Sequence, residues 1–452
     1  MTQSGQMTLY DWLETVFGQL PTPAPTGRAV RLISENFFVG PTLADSPELT
    51  AGNEPEDQTL NGYEGGGELQ VALSPRNYDH YLAALLWAEW GEPAGTASTP
   101  VRTGGTAAVT YTPDGANPRR LTTSGSWTNT PNVGDKVLVQ GSTNAYLNGI
   151  HRVIAATSST CDLEEDGILS DPVKVPAIAV AQDITIMRCQ RLTNSLTPAL
   201  QSIGFEKRIQ RTRGTHLGVT ASPGSTTTDY SVFYAGVPTR FQFQGTADSP
   251  ITGSFSFSMG RQTDSSQAGG GATVLGGTSA YDSTPIFQGV QCLKKVRFYV
   301  PAMSGTAGDA GIIEDTLRLC PQSVSCEIGN NMNVSPLMCA EPEKDYEFGE
   351  PLMSWQVTGI YENPFAKVAF NQQLEGVFEV AMVATNGEGY LFRMPRAKVQ
   401  VARVDTPGRR QILAAQMTVK AFRQNSPLTG DSARAVEIYR FRRSTGGGSW
   451  PW

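Results

Sequence analysis

Strict alternation of apolar and polar residues is the feature that most constrains this chain. The segments Arg240-Phe-Gln-Phe-Gln244 and Ser254-Phe-Ser-Phe-Ser-Met259 alternate with a period of two. Because successive side chains of a strand point to opposite faces, each segment predicts a strand with one buried face and one face in water. The same pattern predicts strands at residues 68–73, 295–300, 376–383, 397–404 and 416–422. The chain is therefore expected to be mainly β.

Composition supports many short strands joined by turns. The 452 residues include 47 Gly and 29 Pro, and only 17% are charged. Gly and Pro interrupt regular structure, so long helices are not expected. The length suggests two to three domains, and the 39% hydrophobic content is enough to form their cores.

Two helices are predicted. In residues 74–90, Ser74 can cap the first turn, Pro75 suits that turn, and Gly91 ends the helix. A single apolar stripe in this segment needs a sheet to cover it. The stripe comprises Tyr78, Tyr81, Leu82, Leu85, Leu86 and Trp90. Residues 9–17 are predicted to form a second, shorter helix, followed by a strand at residues 28–39.

A change of composition predicts an inserted domain. From about residue 95 to residue 193 the chain is rich in Thr, Ser, Gly and Pro, with short strand patterns between turns. We predict a small β-barrel or sandwich at residues 97–193, inserted into a larger domain formed by residues 1–96 and 194–443. Residues 444–452 lack periodicity and are predicted to be a flexible tail. Residues 262–284 are predicted to be a loop.

Charge is distributed unevenly along the chain. From Pro41 to Glu68 there are seven carboxylates and no Lys or Arg, with Pro and Gly throughout, which predicts a long acidic arm between two strands. Residues 391–452 hold 12 Lys or Arg against three acids, so the rest of the chain carries 23 bases and 39 acids. The basic end either forms solvated strand faces or meets the acidic surface of another copy. The net charge of −7 argues against a general nucleic-acid binder.

No catalytic or ligand-binding motif is found. The histidines at positions 80, 151 and 216 have no His or Cys partner at metal-ligand spacing. The glycine-rich residues 269–277 lack the Lys-Ser/Thr of a phosphate loop, and no Gly-x-Ser-x-Gly elbow occurs. Neighbouring carboxylates such as Glu164 and Glu165 would point to opposite faces of a strand. We therefore expect no enzyme activity, no cofactor and no metal.

The sequence shows no export signal and no long apolar run. The first residues lack the charged and apolar regions of a signal peptide, and no segment approaches the roughly 18 apolar residues of a membrane span. We therefore expect folding in a cytosol, with the six cysteines reduced and mostly packed as small apolar side chains.

Several segments, taken in order, resemble the tail tube proteins of long-tailed bacteriophages. Near the N-terminus, Glu14, Phe17, Gly18 and Pro21 are similar to the family's Glu-x-x-Phe-Gly-x-x-Pro element, and Ser34-Glu35 ends a strand before the long arm. After the insert, the resembling segments are 202–207, 229–238 leading into the Phe241/Phe243 strand, 251–260, 323–332 with paired Asn, 389–396 and 411–422.

The resemblance implies a β-sandwich flanked by a helix, with six copies in a ring and rings stacked head to tail into a hollow tube. Phage DNA would pass through the lumen without sequence-specific binding. The implied partners are further copies of the chain and the tail terminator, distal tail and tape-measure proteins, with no membrane. The protein would be assembled in the host cytoplasm and reside in the virion tail.

In such a tube the acidic arm reaches a neighbouring subunit or ring. The arm would be loose in the isolated subunit and ordered on assembly. The hypothetical contact residues are Asp45, Glu48, Glu54, Glu56 and Asp57 of the arm, with Arg409 and Arg410 as their basic partners.

Two alternatives remain open from the sequence. A β-rich carbohydrate-binding or adhesive surface module would show exposed aromatic platforms and a stable monomer or trimer. An inner tube of a contractile tail or secretion device would be closer in kind, but such tubes are usually shorter and the insert argues against one.

Overall fold

The structure is a computed structural model. It describes residues 7–45, 58–91, 100–102, 109–112, 119–144, 147–164, 176–182, 184–194, 200–211, 214–216, 219–221, 227–246, 249–268, 273–289, 293–299, 321–336, 344–360, 370–405, 414–423 and 434–441.

The described residues form β-strands and one short α-helix, in agreement with the predicted fold class. In chain order these are β1 (Met7–Leu13), β2 (Thr26–Ala29), β3 (Ser34–Glu35), β4 (Phe38–Asp45), β5 (Gln58–Ala72), α1 (Asp79–Leu85), β6 (Pro100–Arg102), β7 (Val109–Thr112), β8 (Arg120–Thr123), β9 (Lys136–Gln140), β10 (Gly149–Ala156), β11 (Thr160–Leu163), β12 (Ile178–Gln182), β13 (Thr185–Arg188), β14 (Gln190–Thr193), β15 (Ile203–Arg211), β16 (Gly214–His216), β17 (Val219–Ala221), β18 (Thr227–Thr246), β19 (Thr252–Ser258), β20 (Arg261–Ala268), β21 (Gly277–Ser279), β22 (Leu293–Tyr299), β23 (Pro321–Gly329), β24 (Asn333–Pro336), β25 (Lys344–Glu347), β26 (Leu352–Ile360), β27 (Glu375–Val383), β28 (Gly389–Asp405), β29 (Ala414–Ala421) and β30 (Glu437–Phe441).

The two alternating segments that contain Phe241 and Phe255 are paired strands, as predicted. β18 and β19 are antiparallel, with Gln242 opposite Ser254, and together they form the centre of a sheet that we call the first sheet. Its order is β4-β5-β19-β18-β23-β26-β29-β28, and every neighbouring pair is antiparallel. Alternation buries Phe241, Phe243 and Phe255 on one face of this sheet.

A second sheet covers the apolar face of the first. Its order is β22-β27-β28-β30-β14, so the long strand β28 belongs to both sheets. Rings from the two sheets meet in the core: Trp355 lies 6.0 Å from Phe378, and Phe243 lies 5.5 Å from Phe392. The arrangement is a β-sandwich with a continuous aromatic core.

A smaller side sheet continues from β18. The N-terminal half of β18 leaves the first sheet and pairs with β15 and β20, and β15 continues to β1, β2 and β21. Ala235, at the point where β18 changes partners, has a φ of 54°. A non-glycine residue in this region indicates a bulge that redirects the strand. The predicted loop at residues 262–284 is wrong in part, because β20 and β21 lie inside it.

The insert forms its own sheet. Eight antiparallel strands run in the order β12-β7-β8-β11-β10-β9-β13-β6, around a separate core that includes Trp127 and Val137. β14 follows directly but pairs with β30 of the second sheet. The domain boundaries at residues 97 and 193 therefore stay a prediction, and the described strands of the insert lie between Pro100 and Arg188.

The predicted helix at residues 74–90 is real but shorter. α1 spans only Asp79–Leu85, and Ser74 does not cap it, because the residue that precedes the helix is Tyr78. Arg76 has a φ of 69°, which lies outside the helical region, so the helix cannot begin before this residue. The apolar stripe is confirmed in the core, where Tyr81 packs edge-to-face against Phe255 at 5.2 Å.

The predicted helix at residues 9–17 is wrong. β1 occupies Met7–Leu13 and pairs with both β15 and β2, so Leu9 and Asp11 are buried on the same face of a strand. Pairing with β15, almost 200 residues later in sequence, overrides the local helical pattern. The predicted strand at residues 28–39 is also corrected: it is divided into β2, β3 and the start of β4.

Candidate assembly surfaces

The first and last residues of the acidic arm pair with each other as a β-hairpin. We call it the arm hairpin (β4 and β5 up to Gly66). Phe38 pairs with Gly66, and the register continues to Asp45 opposite Gln58. β19 accompanies β5 only as far as Gly66, so the remainder of β5 pairs with β4 alone among the described strands. At roughly 3.3 Å per residue, the hairpin extends about 26 Å past the first sheet. The flanking residues of the arm are therefore paired strands, and the loose state of the arm in the isolated subunit stays a prediction.

The arm hairpin exposes apolar side chains. Phe38 and Leu43 of β4 are 51% and 57% exposed, respectively. A projecting strand with large exposed apolar groups is a surface that pairs readily with another chain. Both observations indicate a contact surface.

Most predicted contact residues lie outside the described residues. Asp45 ends β4, and its backbone pairs with Gln58. Glu48, Glu54, Glu56 and Asp57 belong to residues 46–57, which connect β4 to β5. Arg409 and Arg410 belong to residues 406–413, the basic connection between β28 and β29. Their contact stays a prediction.

The arm hairpin and the basic connection leave the first sheet at opposite ends. One row of paired residues crosses the sheet from Gln70 in β5 to Lys420 in β29, and the next row crosses from Ala72 to Thr418. β5 approaches the arm with decreasing residue number, so the Gln70 row is nearer the arm. β29 approaches the basic connection with decreasing number, so the Thr418 row is nearer that connection. Within one subunit the arm hairpin and the strand ends that flank the basic connection therefore lie at opposite ends of the first sheet.

Part of the basic C-terminal surplus is used within the subunit. Arg396 binds Glu375 through two hydrogen bonds of 2.7 and 2.9 Å, and Lys398 lies 3.1 Å from the same carboxylate. These two cations lower the pKa of Glu375 to about 2. Arg396 and Lys398 are thus already paired with an acid of the same chain.

Glu14, from the first resembling motif, holds a turn against two strands. Its carboxylate accepts hydrogen bonds from the Gly18 N–H (2.8 Å), the Ser202 hydroxyl (2.6 Å) and the Ala235 N–H (3.0 Å). Gly18 has a φ of 68°, which favours glycine. Burial raises the pKa of Glu14, and the three hydrogen bonds oppose that rise. The motif therefore fastens the turn after β1 to the bulge in β18.

The paired asparagines of the last motif have different roles. Asn330 is fully buried, and its amide donates to the carbonyls of Leu85 (3.2 Å) and Pro238 (2.9 Å). It thereby joins the end of α1 to the first sheet. Asn331 is exposed and has a φ of 47°, which asparagine tolerates better than most residues.

The outward face of six strands of the first sheet, β5, β19, β18, β23, β26 and β29, is polar and carries few charges. We call it the polar face, and an open hollow of about 570 Å³ lies on it. Its side chains alternate with the buried core residues of β5, β19, β18, β23, β26 and β29. They are Glu68, Gln70, Thr252, Ser254, Ser256, Arg240, Gln242, Gln244, Ser325, Glu327, Ser354, Gln356, Thr358, Thr418 and Lys420.

On these six strands the charges are two acids and two bases: Arg240 and Glu327 form a salt bridge of 2.8 Å, and the others are Glu68 and Lys420. The neighbouring strand β28 adds Lys398 and Arg403 on the same side of the sheet. One row across the six strands contains only Ala, Thr, Gln and Ser. It runs Ala72, Thr252, Gln244, Ser325, Gln356 and Thr418. The alternation predicted a wet face, but its small number of charges was not noticed from the sequence.

The insert is attached to the second sheet by a buried group of ions, the junction network. Glu379 of β27 binds Lys136 of the insert at 2.7 Å, and neither side chain is exposed. Arg297 and Arg393 approach the same carboxylate at 2.8 and 3.2 Å. Glu437 in turn accepts a 2.7 Å hydrogen bond from Arg393. Apolar residues of both sides surround this network, including Leu138 and Met187 against Val383, Leu391 and Tyr439.

No catalytic arrangement is found among the described residues. They contain no group of three or more His, Cys, Asp or Glu that could hold a metal ion. The described Cys161, Cys189 and Cys326 are buried, and burial raises the pKa of Cys161 and of Cys189 to about 12, so these thiols are unreactive. In the same ranges, no helix has the length and apolar character that a bilayer crossing requires.

The described structure is thus a β-sandwich with a projecting hairpin and a broad polar face. A comparison with protein-family models matches residues 12–421 to the phage tail tube protein model. The chain therefore belongs to the phage tail tube protein family, whose members are structural parts of the virion tail rather than enzymes. A comparison with curated proteins finds no match.

Proposed function

We propose that six copies of this chain form a ring and that the rings stack head to tail into a hollow tube that conducts phage DNA. Family membership supports the tail tube role and self-assembly with other tail proteins. The observation that carries the stacking proposal is the placement of the arm hairpin and the basic connection at opposite ends of the first sheet.

Opposite ends are what an open stack requires. A head-to-tail contact joins two different surfaces, and repetition of that contact gives a filament. Residues 46–57 contain four acids and no base, and residues 406–413 contain two arginines and no acid. Complementary charge would guide the arm of one ring to the basic connection of the next. The exposed Phe38 and Leu43 would supply apolar contact along the hairpin.

The remaining partners follow from this arrangement. A finite tube needs a tail terminator at one end, a distal tail protein at the other and a tape-measure protein inside. DNA would pass without sequence-specific contacts, since the chain carries a net charge of −7.

Charge exchange tests the stacking contact. Arg409→Glu/Arg410→Glu should slow tube elongation, measured by light scattering and by rod length in electron micrographs. Glu54→Lys/Glu56→Lys should also slow elongation when introduced without the arginine changes. The combination of both pairs should restore elongation. Arg442→Glu/Arg443→Glu is the matched control, because it reverses another arginine pair in the same basic region. Normal elongation by the Arg409/Arg410 variant, or no recovery in the combination, would refute the contact.

A further inference from the structure

We infer that the polar face lines the channel and that the insert stands on the outer surface of the tube. This inference rests on the proposed tube, and it assigns an inner and an outer side to the subunit. The passing ligand is duplex DNA, a uniform polyanion.

The order of layers follows from alternation in the second sheet. In β27, Phe378, Val380 and Met382 enter the core shared with the first sheet, whereas Glu379 and Ala381 point away from it. β28 and β30 repeat this pattern: Phe392 and Ile438 lie in the core, and Arg393, Glu437 and Tyr439 belong to the opposite face. The layers are therefore the polar face, the first sheet, the core, the second sheet and the insert.

The insert is fixed to that outer side. Lys136 and Glu379 have fully buried side chains, and Leu138, Ile150 and Met187 of the insert pack directly on the second sheet. Close packing of these buried side chains holds the insert against the second sheet. Because the polar face and the insert lie on opposite sides of the core, at most one of them can face the channel.

The chemistry of the polar face fits a channel wall. A wall with unpaired Lys or Arg would bind phosphates and release counterions, which would retain DNA. Rows of Ser, Thr and Gln offer phosphates only neutral hydrogen bonds, which release no counterions, so they hold a passing polyanion more weakly than Lys or Arg would. On the six strands of the polar face the four charges are two acids and two bases, and Arg240 with Glu327 already form a pair. At the adjoining edge, β28 adds Arg403 and Lys398, and Lys398 is paired with Glu375.

Size-selective labelling of cysteine variants tests the assignment. Gln244→Cys and Gln356→Cys place thiols on exposed positions of the polar face, and Ser158→Cys places one on an exposed turn of the insert. Each variant is treated, as assembled tubes and as dissociated subunits, with N-ethylmaleimide or with a maleimide coupled to a globular protein wider than duplex DNA. The parent protein measures the background from the native cysteines.

In tubes, N-ethylmaleimide should label all three variants, and the large reagent should label only Ser158→Cys. In dissociated subunits the large reagent should label all three. Labelling of Gln244→Cys in tubes by the large reagent would overturn the assignment. Protection of Gln244→Cys from N-ethylmaleimide in tubes would also overturn the assignment. Failure of Gln244→Cys and Gln356→Cys to assemble when the parent does would have the same consequence, because either result places the polar face in a contact between subunits. If the parent forms no tube, the proposed function fails instead.

Discussion

Replacing Glu379 by Gln removes the carboxylate that Lys136, Arg297 and Arg393 approach within 3.2 Å. The variant leaves three cations close together, and the side chains of Lys136 and Arg393 are fully buried. Removal of one partner of a buried ion pair leaves the other charge uncompensated and lowers the free energy of unfolding by about 3–5 kcal/mol. We expect Glu379→Gln to lose free energy of unfolding in that range.

The opposite replacement, Lys136→Met, should cost far less. Glu379 keeps Arg297 and Arg393, so its charge remains compensated. Burial lowers the pKa of Lys136, although Glu379 opposes that shift, and methionine avoids the cost of burying the ammonium group. The two effects nearly cancel, so a loss of about 1 kcal/mol or less is expected.

Urea unfolding of dissociated subunits, followed by circular dichroism, measures this asymmetry. The slope against urea should be the same for both variants, so the midpoints compare directly. High salt should leave the difference intact, because screening acts weakly on buried ions. An equal loss in the two variants, or a larger loss for Lys136→Met, would refute the described role of Glu379.

Three further outcomes are expected. Glu14→Gln should remove one pH dependence of stability. Because burial raises the pKa of Glu14 above 4.5, the parent should lose stability as the pH rises from 4.5 through the raised pKa. Thermal unfolding of the variant over the same pH range should show no such loss. Asn330→Ala should lower the free energy of unfolding by about 1–3 kcal/mol, since two carbonyls lose their buried donor. Asn331→Gly should change it by less than about 0.5 kcal/mol. Equal denaturation midpoints of the two variants would contradict this. Gln244→Arg should leave tube length unchanged but slow DNA ejection at low salt, with recovery at high salt, whereas Gln244→Glu should not slow it; an ejection rate independent of the arginine would count against a channel-facing Gln244.

Alternation made the sandwich predictable from the sequence. β18, β19 and β29 each carry a clear period of two, and the chain order of the motifs indicated the family. The pairing of β1 with β15 was not predictable in the same way, because a local pattern holds no information about a partner almost 200 residues away.

The surfaces were predicted less completely than the fold. The acidic arm was recognised from its charge, but its hairpin flanks were missed because Gly and Pro obscure the alternation of β4 and β5. The buried charges were missed for a different reason. Lys136 and Glu379 look like solvated residues in sequence, and only the docking of the insert removes them from water.

Electron microscopy of the purified protein at high concentration tests the central claim most directly. The account predicts hollow rods with a regular ring repeat, six-fold symmetry in end views and additional density from the insert on the outside. Single subunits of uniform size under all conditions, or solid fibres without a channel, would contradict it.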